Sequence, residues 1–513
     1  MSPLTVIFVV PLLGALLIGL VPRNYRFVIR SLALLATFVS MLTAIWMFCS
    51  FDPGQAVRGY QFVEQHAWAP SLGISYHVGV DGINLGLILM GAVVLFAATC
   101  VSWRIADREK DFYILLLLMG GGILGSFASL DLFFFYFLHE LALVPTFLMI
   151  GLWGRGEDKT YATFQITIYL SAGALLVLLG FLGIYLQLPV DQRATVGFDL
   201  VELTKWFKAH PMPPGAQHWI FPTLLFGFGI LVALWPFHSW APPGYGSAPS
   251  ATAMVHAGVV KKFGLYGLIR VALPLMPDEA QKWVYVLSAL CLGNILYCGM
   301  VAMRQRDLNL LIGNSSVAHM GFAFLGIASL SLIGLTGTVL VMVAHGFLAA
   351  LTFALSGYLR DEVKTLNIGE MGGLLSRLPF IGTVMIMAML AGCGLPGFAG
   401  FPGEALVLFG NWDRSAVVTA LAIWGALVIA GIYMLRAIRQ IWHGDKTWTE
   451  APDAPNLWRK FPFGLLLAGL IIFGCFPRLL TDNIKISVGP VVRSIGADPT
   501  DTASSPIPIL RRR

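Results

Sequence analysis

Residues 391–404 read AGCGLPGFAGFPGE, inside an otherwise apolar stretch running from about 380 to 410. Proline removes a helix donor and glycine loosens the backbone, so Gly394, Pro396, Gly397, Gly400, Pro402 and Gly403 break any helix laid through it. A second break stands at 234–250, LWPFHSWAPPGYGSAPS, with Pro236, Pro242 and Pro243. Unpaired backbone at membrane depth survives only inside protein or beside water. Two such breaks in apolar surroundings therefore point to a membrane protein with a polar interior.

Outward from the breaks, the rest of the chain agrees. Of its 513 residues, 57% are hydrophobic and only 12% charged. Apolar runs long enough to cross a hydrocarbon core recur from end to end. The spans read as 3–21, 28–48, 80–103, 112–130, 132–153, 162–187, 218–236, 249–274, 283–303, 309–330, 332–358, 380–410, 415–442 and 461–480. The expected class is an all-α polytopic membrane protein with about 14 transmembrane helices, its chain divided as 1–111, 112–274, 275–442 and 443–513. The breaks fall in the seventh and twelfth spans, five apart. That spacing suggests two five-helix repeats, spans 4–8 and 9–13, with a transport site between them. Segments 50–79 and 188–217 are polar enough to stand outside the membrane, and FDLVELTKWF reads as a short amphipathic surface helix. The N-terminal run lacks a basic n-region and a small-residue cleavage site, so it reads as a retained span.

Loop charge gives an orientation. Alternate loops, starting with the one after the first span, hold 18 Lys and Arg, and the opposite loops with the tail hold 12, including Arg511, Arg512 and Arg513. Lys261, Lys262 and Arg270 remain, inside the eighth span. The richer side is expected to be cytoplasmic, with both termini on the other. The net charge of +6 belongs to these loops, and no basic run interleaves with aromatics as nucleic-acid binding would need. Among six cysteines there is no CxxC pair, and neither a P-loop nor a strand-borne GxGxxG is present. These absences argue against a bound redox cofactor, metal centre or nucleotide.

A charge deep in a bilayer costs about 2.5–3.5 kcal/mol on insertion scales, so each buried ionisable residue needs a reason. Glu140 lies mid-span in LFFFYFLHELALVPTFLMIG, and Glu404 follows the second break. His256, Lys261 and Lys262 share AMVHAGVVKKFGLYGLIR, while His319 and His345 lie in SSVAHMGFAFLG and VLVMVAHGFLAALTF. Carboxylates, lysines and imidazoles linked by water are the parts of a proton relay. Each histidine also has an ordinary reading as a hydrogen-bonded core residue, and Lys261 as a snorkelling one.

GISYHVGVDGINL at 73–85, together with PFHSWAP, SSVAHMGF and GLPGFAGFPGEALVLFG, resembles the M-type subunits of bacterial NADH-quinone oxidoreductase, in the antiporter-like superfamily. The resemblance covers nearly the whole chain. It implies inverted five-helix repeats and proton pumping with no cofactor on this chain, NAD and quinone being handled by partners. It also implies L-, N- and K-type membrane-arm neighbours in the inner membrane. By resemblance, Glu140 is the fifth-helix glutamate, Lys262 the eighth-helix lysine, Glu404 the twelfth-helix exit carboxylate, and His319 and His345 the histidines of helices ten and eleven. An Mrp-like cation/proton antiporter or an inorganic-carbon uptake subunit is the rival reading.

The chain departs from that pattern at one point. Seven residues before His238 the family usually has a lysine that pairs with the fifth-helix glutamate, and here Leu231 stands there. Gln165, four residues before Tyr169, replaces a second frequent lysine. His256 and Lys261 are additions to the pattern, and two readings stand for His256: it takes over part of the role of the missing partner of Glu140, or it hydrogen-bonds a carbonyl near the break in the seventh span.

Overall fold

The structure, a computed structural model, describes residues 2–56, 59–105, 107–444 and 452–496. Arg58, Lys446 and Arg511–Arg513 of the loop count lie outside the described residues. The chain opens with α1 (Pro3–Leu20) and α2 (Arg26–Ser50), then the hairpin β1 (Gln61–Ala69) and β2 (Ile74–Val80). There follow α3 (Asn84–Val101), α4 (Glu109–Ala128), α5 (Leu132–Trp153), α6 (Lys159–Leu186), α7 (Leu200–Ala209), α8 (Pro214–Val232) and α9 (Ala241–Ser247). Residues 250–275 form α10, and α11 is Pro277–Arg304. The remainder is α12 (Leu308–Ala328), α13 (Leu332–Val363), α14 (Pro379–Gly392), α15 (Gly400–Trp412), α16 (Ala416–Trp442), α17 (Leu457–Cys475) and α18 (Arg478–Ser494).

Among the described residues, 12 helices are long and apolar enough to cross a membrane. Two expected spans are built otherwise. The stretch 249–274 is one rod, but π turns at His256–Val260 and Leu268–Ala272 divide it. The stretch 380–410 is two short helices, α14 and α15, separated by the Gly/Pro break. An amphipathic α7 lies where FDLVELTKWF suggests, with Leu200, Leu203 and Phe207 buried. The hairpin within 50–79 and the separate helix α18 are additions that the apolar runs do not mark.

Helices that are apolar all round belong in the middle of a bundle. The apolar window of α13 is wholly buried, and those of α3 and α12 are 94% buried, against 28% for α17. So α3, α10, α12 and α13 form the centre. Helices α1, α2, α6, α16 and α17 form the lipid-side shell, where Leu17, Leu35, Leu179, Leu427 and Ile472 are exposed.

Cross-loop contacts sort the loops as their charge does. At one end Arg30 pairs with Glu109, Arg104 with Glu362 at 2.6 Å and Arg155 with Asp361 at 3.2 Å. At the other end the Ser2 amide donates to Glu64 at 2.9 Å, His77 meets Asp199 at 2.6 Å and the Gly82 amide donates to Ser487 at 2.8 Å. Both described chain ends are therefore at the hairpin end of the bundle. Asp131 fastens the hairpin there: it caps α5 through the amides of Phe133 and Phe134 and also accepts from the Ser75 amide. Burial pushes its carboxyl up to about 6.

Candidate functional site

The two breaks are satisfied by neighbours, as membrane depth demands. After α8, Ala233 turns into the left-handed region and Asn294 of α11 clamps the exposed backbone. Its Oδ1 accepts from the Trp235 amide at 2.7 Å, and its Nδ2 donates to the carbonyls of Ala233 and Val317. Between α14 and α15, the Ala399 amide donates to the Leu470 carbonyl of α17 at 2.8 Å. Gly394 there has φ +69°, and a Cβ on it would stand 3.0 Å from Glu404 Oε2.

The buried bases of α10 point to different neighbours. Lys262, 0% exposed, donates from Nζ to the Ala257 carbonyl at 2.6 Å and lies 2.8 Å from His345 Nδ1 on α13. Lys261 points to α12, donating to Ser316 Oγ at 3.1 Å with its ammonium 5.5 Å from the ring centre of Tyr245. Both lysines thus serve the second half of the chain. His256 turns to the first break, its Nδ1 being 3.3 Å from the Tyr245 hydroxyl.

From His345 a line of groups leads to Glu404. The rings of His345 and His319 are 5.8 Å apart. His319 Nε2 lies 3.8 Å from Glu404 Oε1. The same ring faces two carbonyls, Ser315 at 2.7 Å from Nδ1 and Gly392 at 3.2 Å from Nε2. Carbonyls only accept, so both contacts are hydrogen bonds only when the imidazole carries both protons. Three cavities of about 20, 10 and 10 Å³ border this line, the first along Ser315, His319 and His345, the others along His319 and Glu404. Each is of the size one water occupies. A roomier cavity of about 150 Å³ lies elsewhere, by Trp103, Arg104, Tyr358, Trp458 and Arg459, and touches none of these groups.

Glu140 stands apart from that line. Its side chain keeps 30% exposure, and its nearest basic atom among the described residues is Nδ1 of His139 at 3.6 Å. Leu231 is buried where the lysine was missed, and Gln165 donates to Ser239 at 3.3 Å, whose hydroxyl donates to Tyr169 at 3.1 Å. That triad is neutral. The structure therefore brings together Lys261, Lys262, His345, His319 and Glu404, places His256 at the first break, and leaves Glu140 with His139. Sequence reasoning passed over His139, Asn294, Tyr245, Ser315 and Ser316. A polar residue within an apolar run was the available signal for His139 and Asn294. Among the described residues no three His, Cys, Asp or Glu are grouped as metal ligands.

Comparison with known proteins gives consistent matches. The family described as NADH:quinone oxidoreductase/Mrp antiporter, TM matches residues 129–430. NADH-quinone oxidoreductase subunit M of Rhodobacter capsulatus is 32% identical, over 96% of this chain and 97% of that one. NAD(P)H-quinone oxidoreductase chain 4 3 of Picosynechococcus sp. is 34% identical over 86% and 79%. A chain of respiratory complex I from Thermus thermophilus with bound NADH superposes with a TM-score of 0.86 at 28% identity, covering 96% of this chain and all of that one. The Mrp complex from Dietzia sp. DQ12-45-1b shares the fold, with a TM-score of 0.81 at 18% identity over 96% and 98%.

Proposed function

The chain belongs to the NADH:quinone oxidoreductase/Mrp antiporter transmembrane family, and from that premise we propose that it is an M-type, proton-translocating membrane-arm subunit of an NADH-quinone oxidoreductase. The observation supporting this most directly is the Lys262, His345, His319, Glu404 line with its water-sized cavities. A proton on Lys262 passes to His345, crosses by water to His319, and reaches Glu404 beside the second break. Burial keeps the path dry except at those cavities, so protons follow the side chains. Redox chemistry with NAD and quinone occurs in partner subunits, and L-, N- and K-type chains are the neighbours in the membrane. The rod α10 and the pair α14–α15 complete fourteen crossings arranged as two five-helix repeats, in the inner membrane, with both termini outside.

The test is Glu404→Gln in the assembled complex. It preserves shape and removes titration, so proton translocation coupled to quinone reduction should fall about 10-fold or more. NADH oxidation by a soluble electron acceptor should be unchanged. Full translocation with unchanged subunit content would sink the proposal. Purification of the native chain with antiporter or carbon-uptake partners, and without NADH-oxidising subunits, would favour the rival reading.

A further inference from the structure

Glu140 and His139 are consecutive residues of α5 with opposite surroundings. Glu140 borders the exposed stripe of Phe133, Phe137, Val144 and Leu148, while His139 is 1% exposed and faces inward. The His139 ring lies on Phe263, the residue after Lys262, with centroids 3.7 Å apart and planes at 17°. Nδ1 of His139 and Oε1 of Glu140 stand 3.6 Å apart, both buried and neither in a hydrogen bond among the described residues, with Tyr136 the other polar side chain beside the Glu140 carboxylate. Buried polar atoms are rarely left so. A small closure, or one bridging water, pairs both at once. Helix α8 carries no lysine or arginine to pair with Glu140, and Leu231 on it is buried.

We infer that His139 is the proton-sharing partner of Glu140, standing in for the absent seventh-helix lysine and carrying the carboxylate's proton inward. This rests on the proton-translocating reading above. One proton moves between Oε1 and Nδ1: carboxylate with imidazolium becomes carboxylic acid with neutral imidazole, one N–H breaks, one O–H forms, and the net charge stays zero.

The groups around the pair define what else bears on its titration. Tyr136 on α5 neighbours Glu140. From α10, His256 is within electrostatic reach of His139, and Lys261 and Lys262 follow on the same rod. Helix α4 packs its glycine Gly122 against Leu138 and Ala142 and has no titratable side chain there. Helix α6 runs antiparallel, Phe181 against Phe135 and Thr163 against Gly151, which brings its apolar residues 172–179 to this level.

The experiment compares translocation by the assembled complex, between about pH 6 and 9, for the unsubstituted chain and variants. His139→Phe keeps a ring on Phe263 and removes both nitrogens. It should lower translocation about 5-fold or more and flatten the pH profile. Leu231→Lys in that background should restore at least half of the loss. Full translocation with an unaltered profile in His139→Phe, or no recovery with Leu231→Lys, overturns the inference while a defective Glu404→Gln leaves the proton-translocating reading standing. A normal Glu404→Gln removes that reading and this inference with it. Infrared titration needs no His139 variant. The carboxyl band lost in Glu140→Gln should titrate together with an imidazole band in the unsubstituted complex, and independent titration overturns the pairing.

Discussion

Lys262 of α10 and His345 of α13 share a hydrogen bond across the centre of the bundle, 2.8 Å from Nζ to Nδ1, and the same ammonium donates to the Ala257 carbonyl. With 0% and 4% of their surfaces exposed, neither faces bulk water. Lys262→Met keeps the stem and removes the proton, so translocation should fall about 100-fold. Lys261→Met loses a bond to Ser316 and no contact with His345, and its effect should be several times smaller. Equal losses in the two variants would contradict the division of labour between the lysines.

Gly394 is both strained and crowded for any other residue. The left-handed conformation at φ +69° disfavours a side chain by about 1–2 kcal/mol. Gly397, at φ +98°, carries the strain alone, since nothing lies within 4 Å of its would-be Cβ. Both alanine variants should lower the melting temperature. Only Gly394→Ala, whose methyl meets Glu404, should also depress translocation per assembled complex.

Arg270 and Asp81 form a buried ion pair under the hairpin, with Arg270 also 5.4 Å from the ring centre of Tyr60. Asp81 holds the start of α3 through the Ile83 amide as well. Removing one partner strands the other charge, and Asp81→Ala should cost about 3–5 kcal/mol. Adding Arg270→Gln should return part of it. Thermal unfolding of the purified chain measures both, and a double variant less stable than Asp81→Ala would refute the pairing argument.

Glu64 ties the N-terminus to the hairpin. Hydrogen bonds from Thr5 Oγ1 at 2.6 Å and the Ser2 amide at 2.9 Å hold its carboxyl below the usual range, the threonine bond contributing most. The folded value lies under the unfolded one of about 4.3. The tie therefore stabilises fully above that pH and is lost as pH falls through the folded value. Proteolysis of the first residues should accelerate below about pH 4. Glu64→Gln should show the same acceleration at neutral pH.

Orientation is testable by reporter fusions. Fusions at Arg108, Lys159 and Lys446, all in the cation-rich loops, should report cytoplasm. Two of three reporting the outside would reverse the assignment.

Composition and spacing alone determined much of this protein. Apolar runs of membrane length fixed a polytopic helical chain, because no other spanning structure made of such runs satisfies its backbone in lipid. The Gly/Pro clusters at 234–250 and 391–404 located both breaks, since glycine and proline act on the backbone wherever they stand. Buried charge marked Glu140, Lys262 and Glu404, because lipid tolerates none without cause. Which group meets which was decided only by tertiary structure. Lys261 and Lys262 are neighbours in sequence and about 100° apart round the helix, and packing alone decides that one reaches α12 and the other α13. His139 lay in plain view beside Glu140, but its burial, its stack on Phe263 and its lone nitrogen come from packing of α10 against α5. A sequence records which side chains can carry a proton, and contacts between residues far apart in the chain set the distances over which it can move.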